Sequence, residues 1–453
     1  MKTKNNYILE GSIIKALLMI SLPIIFANVL QTVYQLIDTF WVGRLGTEAV
    51  AAVSLSFPIL FFLSSIAMGL TMAGSILVAQ YNGKGNKEYV SLATGQTLSL
   101  VGIIAILIST VGYFSSNFLL SLMTNDSIVL IQATSYLQIS FLGMLATFLY
   151  FIFQSSLRGI GEVKFPMYII LFTVILNFFL DPLFMFGYKF IPAMGVAGVA
   201  IATVITQTIS ATIGIIVLMR GTFNIKLKIR DLKLRLAWIK KIIRLGLPSS
   251  LEHSSRTFGM VIMTFLISTF GTLAVASYGI GTRILSFIII PAIGLAISTS
   301  TLVGNNLGAG NYERVKKITK IGGYIGFLSL TIIGIILFIF AKQISAFFVP
   351  GELELISMST LFIRIMSLTF GLIGVQMVII GAIKAAGRTT LAMLIAISQL
   401  IALFGFGIIL SKLFNLGELG IWIAYPLSNV ISFIVALFFY LKGEHLKNKV
   451  EHN

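Results

Sequence analysis

Long apolar runs separated by short polar turns organise the whole chain. Twelve runs stand out, at about 13–43, 49–80, 92–115, 129–155, 165–187, 195–219, 242–269, 274–303, 319–348, 357–381, 390–412 and 418–441. Each exceeds the ~20 residues that a helix needs to cross ~30 Å of hydrocarbon. Several approach 30 residues, long enough to tilt or to extend past the bilayer. They are too long for membrane strands and lack strict alternation. The pattern therefore predicts an all-α integral membrane protein with twelve transmembrane helices. The first run is too long for the apolar core of a signal peptide and no small-residue cleavage pattern follows it, so it reads as a spanning helix.

Composition agrees. Hydrophobic residues make up 57% of the 453 residues and charged residues only 10%; a soluble domain carries about 25% charge. The net charge of +17 raises the question of nucleic acid. The basic residues, however, sit between apolar runs rather than on an aromatic-interleaved face, so no nucleic-acid partner is expected. Of 32 lysines and arginines, 25 fall on the side that holds both termini and the even-numbered loops, 4 on the other and 3 inside spans, at Arg256, Arg283 and Arg364. That asymmetry predicts a multi-pass protein of the cytoplasmic membrane with both termini cytoplasmic. With no cysteine and three histidines (His253, His445 and His452), disulfides, thiolate chemistry and a histidine-rich metal centre are excluded. The longest polar stretch, 220–244, carries nine basic residues and one acid, Asp231. It reads as a cytoplasmic linker on anionic headgroups. The expected organisation is an N-lobe over 1–219, a basic linker over 220–241 and a C-lobe over 242–453.

The two lobes are duplicates. Leu45-Gly46-Thr47-Glu48-Ala49-Val50-Ala51 recurs as Phe270-Gly271-Thr272-Leu273-Ala274-Val275-Ala276, an offset of 225. At the same offset Leu22-Pro23 matches Leu247-Pro248, Gly69 matches Gly294, and the turn Gly83–Glu88 matches Gly308–Glu313. Arg158 and Gly161 match Lys384 and Gly387 at 226; Gly195, Gly198 and Ala202 match Gly417, Gly420 and Ala424 at 222. The glycines of the 83–85 turn lack the GK[ST] of a phosphate-binding loop and read as tight turns. Six spans per half make the repeats parallel, which predicts two six-helix bundles related by a pseudo-twofold axis along the membrane normal, the arrangement of rocking secondary transporters.

Three of the fifteen acids lie inside spans: Asp38, Asp181 and Glu252. An ionised Asp at mid-bilayer costs ~3 kcal/mol on insertion scales and persists where it faces a cavity, binds an ion or carries a proton. Gln31, Tyr34, Gln35 and Asp38 follow the i, i+3, i+4, i+7 spacing, a polar stripe expected to face the bundle interior. Asn177 and Asp181 are one turn apart on one face, and Pro182 frees a carbonyl in the preceding turn. Carboxylate, amide oxygen and carbonyl are ligands for a hard cation such as Na⁺. Glu252 has Arg256 one turn on, a spacing that a structural ion pair explains. At offset 225, Asp38 aligns with Met263, and the mate of Asp181 lies in the apolar run 401–410. Ion coupling is thus expected in the first half alone.

The ordered set of these features resembles the multidrug and toxic compound extrusion (MATE) family over about 12–440. It comprises Leu22-Pro23, Gln31…Asp38-Thr39, Val42-Gly43, Gly46–Ala51, Gly83…Gly85-Asn86, Arg158-Gly159…Gly161, Asn177…Asp181-Pro182 and Gly195…Gly198–Thr203. The resemblance implies export of organic cations or other amphipathic, drug-like compounds in exchange for H⁺ or Na⁺. It also implies that Asp38, Asn177, Asp181 and Thr203 match the cation site of DinF-like and archaeal members, with Tyr34 and Tyr136 in the same network and a helix bend at Pro23. NorM-like relatives carry a glutamate deeper in the seventh span and an aspartate in the tenth. Here Arg256 stands eight residues after Pro248 and the tenth span has no acid, which argues against a C-lobe Na⁺ site.

The expected function is a multidrug efflux antiporter, monomeric, with no cofactor beyond its coupling ion. Its 36 Phe and 14 Tyr suit a promiscuous apolar cleft. A lipid-linked oligosaccharide flippase of a related family is the alternative; twelve spans and the two N-half acids weigh against it. An enzyme reading, with Asp38 and Asp181 as acid and base, lacks a nucleophile constellation or a metal-ligand cluster.

Overall fold

A computed structural model describes residues 6–448 and 450; residues 1–5, 449 and 451–453, His452 among them, lie outside the described residues. The described chain is helical throughout. After the single turn α1 (Asn6–Leu9) come α2 (Ile13–Gly43), α3 (Thr47–Gly83), α4 (Lys87–Ser121), α5 (Ser127–Gly159), α6 (Lys164–Phe186) and α7 (Val196–Arg220). The second half holds α8 (Leu236–Ser268), α9 (Thr272–Gly308), α10 (Tyr312–Phe348), α11 (Leu353–Ser367), α12 (Phe370–Ala385), α13 (Thr389–Ile408) and α14 (Gly417–Leu441). Among the described residues ten helices are long and apolar enough to cross a membrane. The pair α11 and α12, bent by 50° at its break, passes the same test together and makes an eleventh if it is one span. The 33-residue α8 is not apolar enough to be counted with them, because a polar stretch from Glu252 to Arg256 lies in its middle.

The bend in the tenth span was not expected from its continuous apolar run. Its cause is local. Ser367 Oγ donates to the carbonyl of Arg364 at 2.7 Å, and Thr369 Oγ1 to that of Met366 at 3.3 Å. Hydroxyls that bond back to the preceding turn draw its carbonyls outward and bend a helix. Asn429 of α14 then donates to Thr369 Oγ1 at 2.9 Å and ties the break to its neighbour.

The duplication persists at the backbone. Both α3 and α9 have 37 residues and start 225 apart, behind Gly46 at φ 110° and Gly271 at φ 97°. Gly195 and Gly417 have φ 55° and 56°. Such angles are open to glycine and strained for residues with a Cβ, so the chain needs glycine at each. Packing repeats as well. A Cβ on Gly198 would lie 2.5 Å from the Phe184 backbone, and one on Gly420 would lie 2.6 Å from that of Leu410.

The helices form two compact units, residues 26–250 and residues 1–25 with 251–453. The chain changes unit inside two helices, after Ile25 in α2 and after Ser250 in α8, again 225 apart. In the first unit a Cβ on Gly69 would lie 2.1 Å from Ser250 Oγ; in the second, one on Gly294 would lie 2.4 Å from Ile25. Each unit thus seats a helix start from the other half of the sequence against a glycine of its own. Within the first unit α5 packs on α3, α4 and α7. Within the second, α12 packs on α9, α10 and α14, and the backbones of Gly326 and Gly374 meet where neither has a side chain.

The basic segment after α7 is docked rather than loose. Gln96 of α4 donates to the carbonyls of Asp231 (2.8 Å) and Lys233 (2.7 Å) and accepts from the Arg235 N–H (2.8 Å). Ser99 donates to the Leu232 carbonyl at 2.7 Å. Asp231 is buried and accepts from the Lys228 N–H at 3.0 Å. Gln96→Leu removes three hydrogen bonds and leaves buried backbone groups unpaired. It should cost roughly 2–4 kcal/mol, read as a lower midpoint in a detergent thermal-stability assay; an unchanged midpoint would show that the segment is not anchored there.

Candidate functional site

Asp38 lies in the last two turns of α2, Asn177 and Asp181 on one face of α6, Thr203 on α7 and Tyr136 on α5, all within the first unit. The structure brings the two aspartates together: the Asp38 carboxyl interacts with both Asp181 and Asn177. Asn177 Nδ2 donates to Asp181 Oδ1 at 2.8 Å, and both residues are fully buried. Pro182 follows directly inside α6 and has no N–H to give the carbonyl of Phe178, as the sequence pattern implies. Tyr34 is buried, and its hydroxyl meets Thr206 Oγ1 at 2.7 Å. Thr206 spends its proton on the Thr203 carbonyl (2.9 Å), so Tyr34 is the donor. Tyr136 is half-buried, packs beside Val42, Ala49 and Met185, and is in electrostatic reach of both carboxyls.

Four buried oxygens in this region have no hydrogen-bond partner: Asp38 Oδ1, Asn177 Oδ1, Asp181 Oδ2 and Thr203 Oγ1. Buried polar atoms are paired in the great majority of cases, so a group of four needs an explanation. No lysine or arginine is among the groups that act on either carboxyl. Two carboxylates side by side in an apolar setting repel, and a proton on one or a cation between them relieves this. The donor set is all oxygen, suited to a hard cation. Among the described residues no group of three or more His, Cys, Asp or Glu is arranged to hold a metal ion. Two carboxylates, an amide and a hydroxyl supply the four unpartnered side-chain oxygens named above.

The polar stripe on α2 is split. Tyr34 is buried and Asp38 half-buried, whereas Gln31 and Gln35 are exposed. The four residues span about 100° of the helix, so the stripe is wide enough to straddle the edge of the packed face. Thr206 joins the network although the sequence reading passed over it. Its signal was the threonine and serine spacing Thr203, Thr206, Ser210 on α7, which the structure joins by hydrogen bonds. Pro23 lies inside α2, two residues before the chain changes unit. The mate of Asp38, Met263, is fully buried in an apolar cluster with Leu403 and Phe370.

A family model, MatE, matches residues 23–183 and again 248–410. The chain belongs to the MatE family. The two matches of this MATE model begin at Pro23 and Pro248, the offset of the internal repeat. Among relatives, the chain is 28% identical to "Probable multidrug resistance protein YoeA" of Bacillus subtilis, over 95% of this chain and 94% of that protein. It is 27% identical to "Probable multidrug resistance protein NorM" of Thermotoga maritima, over 96% and 94%. Among solved structures, it is similar to a MATE protein in complex with MaL6, at TM-score 0.91 and 25% identity, covering 98% of this chain and 100% of that one. Solved MATE structures have twelve helices in two bundles, and the spans here match that architecture.

The third intramembrane acid lies in the second unit. Glu252 Oε2 is 2.6 Å from Lys384 Nζ, and Oε1 is 3.6 Å from Arg256. Lys384 is the nearer partner, not the Arg256 that helical spacing suggested. The sequence reading placed Lys384 in a cytoplasmic loop; it lies in the last turn of α12 and is buried. Its repeat mate Arg158 likewise ends α5, where it donates to the Gln154 side chain. Arg364 donates to the Phe338 carbonyl at 3.2 Å and stacks over that ring, while Arg283 is exposed. Glu252→Gln strands a buried ammonium and should cost roughly 3–5 kcal/mol. Glu252→Gln with Lys384→Met should recover most of that loss in a thermal-stability cycle; strictly additive losses would show that the two do not act as a pair.

Proposed function

We propose that this MATE-family multidrug transporter is an antiporter that exchanges drug-like amphipathic compounds for H⁺ or Na⁺ bound at Asp38 and Asp181. The observation that carries the reading is the set of four unpartnered buried oxygens around two carboxyls that have no basic counter-charge. Asn177 and Thr203 supply the two neutral oxygens, and Tyr34 and Tyr136 border the site. The arrangement supports either ion: a proton can sit on one carboxyl, and Na⁺ can be held by both together with the amide and hydroxyl oxygens. We place the protein in the cytoplasmic membrane with both termini inside, on the lysine and arginine asymmetry.

The N-half acids without C-half mates favour the DinF-like and archaeal pattern over the NorM-like one, although the relatives carry NorM and other names. Binding of one ion cancels one of the two negative charges, which relieves their repulsion and alters packing around the end of α2, and ion release restores the repulsion. Coupling needs only that drug and ion favour different arrangements of these helices.

In cells, Asp38→Asn should lower drug efflux about tenfold or more with membrane expression retained; wild-type resistance in that variant would remove Asp38 from the mechanism. In proteoliposomes, pH and Na⁺ gradients imposed one at a time should show one of them driving transport in wild type and neither driving it in Asp38→Asn. Equal driven transport in both proteins would overturn the proposal.

A further inference from the structure

The second unit holds a partly open cavity of about 170 Å³ among α8, α9, α12, α13 and α14, with contributions from α10 and α11. Its wall is largely apolar, with Leu330, Phe370 and Leu403 among the lining residues. The one permanently charged side chain that lines it is Arg256, whose side chain is 33% exposed.

The charges near Arg256 do not balance. Glu252 is the acid within the spans of this half, and it faces Lys384, Arg256 and His253. Its short contact, 2.6 Å, goes to Lys384. Arg256 stands off at 3.6 Å, and its other polar contact is the sulfur of Met377, also at 3.6 Å. One carboxylate therefore serves two cations, and one positive charge is left beside the cavity. A guanidinium has five donors in a planar fork that matches a carboxylate, and here little of that capacity is used.

A second donor lines the same space. Tyr425 donates to the Tyr278 hydroxyl at 2.7 Å, which leaves the Tyr278 proton to give elsewhere. The amide N–H groups that line the cavity are engaged with neighbouring side chains. Gln376 donates to Ser432 (2.7 Å), Gln399 to Asn429 (2.8 Å) and Asn429 to Thr369 (2.9 Å). The polar capacity left for a guest is thus one guanidinium and one phenol as donors and the Gln376 amide oxygen as an acceptor, beside an apolar wall, and the guanidinium carries the only charge among these three.

We propose that this cavity binds a small amphipathic carboxylate, its headgroup on Arg256 and Tyr278 and its apolar body against Leu330, Phe370 and Leu403. The site is separate from the carboxyl pair of the first unit and of opposite polarity. A cationic compound of the same shape would meet a guanidinium that shares its one carboxylate with Lys384, and no free carboxylate.

The test uses a matched pair of probes, 1-naphthoate and 1-naphthylmethylammonium, titrated by calorimetry into the full-length protein in nanodiscs, with empty nanodiscs subtracted. Naphthoate should bind saturably at one per chain, at least tenfold more tightly than the cation. Arg256→Gln should weaken naphthoate at least tenfold, Tyr278→Phe about threefold, and Leu330→Trp should block it by filling the cavity. Asp38→Asn should leave it bound, so that this result is independent of the coupling proposal. The inference is overturned if naphthoate shows no saturable binding, if the cation binds as tightly, or if Arg256→Gln binds as wild type. Should Arg256→Gln not fold, unchanged affinity in both Tyr278→Phe and Leu330→Trp overturns it as well.

Discussion

The constraint behind the whole arrangement is the cost of charge in hydrocarbon. A charged side chain in a membrane helix must find a partner, reach water or bind an ion. The two units meet this constraint in opposite ways. In the second, Glu252 is matched at 2.6 Å by Lys384, and a further cation stands nearby. In the first, Asp38 and Asp181 have only each other, an amide and hydroxyls. Removing one partner of the first kind of group strands a charge and threatens the fold. Neutralising one of the second kind relieves repulsion, which is what the proposed change of occupancy requires. A permanent ion pair suits a scaffold, and a pair of like charges suits a switch.

This contrast is written on a duplicated backbone. Glycines with the same positive φ, helices of the same length and the same close glycine contacts recur about 225 residues apart. Backbone geometry tolerates few residue types at such points, so the repeat is plainest there. Side chains facing the interior are freer, and the two copies differ. Where one half has Asp38, the other has Met263 in a dry cluster. The match of the family model in both halves describes the shared frame, and the charges describe what each half does with it.

The spans were legible because length and apolarity suffice to mark a membrane helix, and the aspartates because a charge within such a run is conspicuous. The helical spacing of Asn177 and Asp181 gave their hydrogen bond. What local spacing could not give was contact between distant helices. Lys384 looked like a loop residue and proved to be the partner of Glu252, because the helix carries on past the end of its apolar run. The bend before α12 was hidden since it has no proline; only hydroxyls that bond back to the preceding turn mark the break. Gln31 and Gln35 shared a stripe with Asp38, but the packed face ends within the stripe's width. The docking of the basic segment on Gln96 depends on carbonyls, which carry no signature in the sequence.

The exchange of helix starts bears on how a local charge could have a wider effect. Residues 13–25 of α2 pack with the second unit and residues 26–43 with the first, yet they form one helix. Asp38 lies on the second stretch, and Pro23 lies two residues before the change of unit. Proline removes a backbone hydrogen bond at that point and lowers the cost of bending there. Under the proposed coupling, neutralising Asp38 changes the packing of a helix whose other end belongs to the other unit. α8 makes the same crossing at Ser250, and Glu252, two residues beyond it, is held by Lys384 of the unit that it enters. One shared helix carries an acid without a counter-charge and the other carries a paired one. On the proposed coupling the adjustable element is α2 and the fixed one α8, an asymmetry that the duplicated backbone alone would not produce.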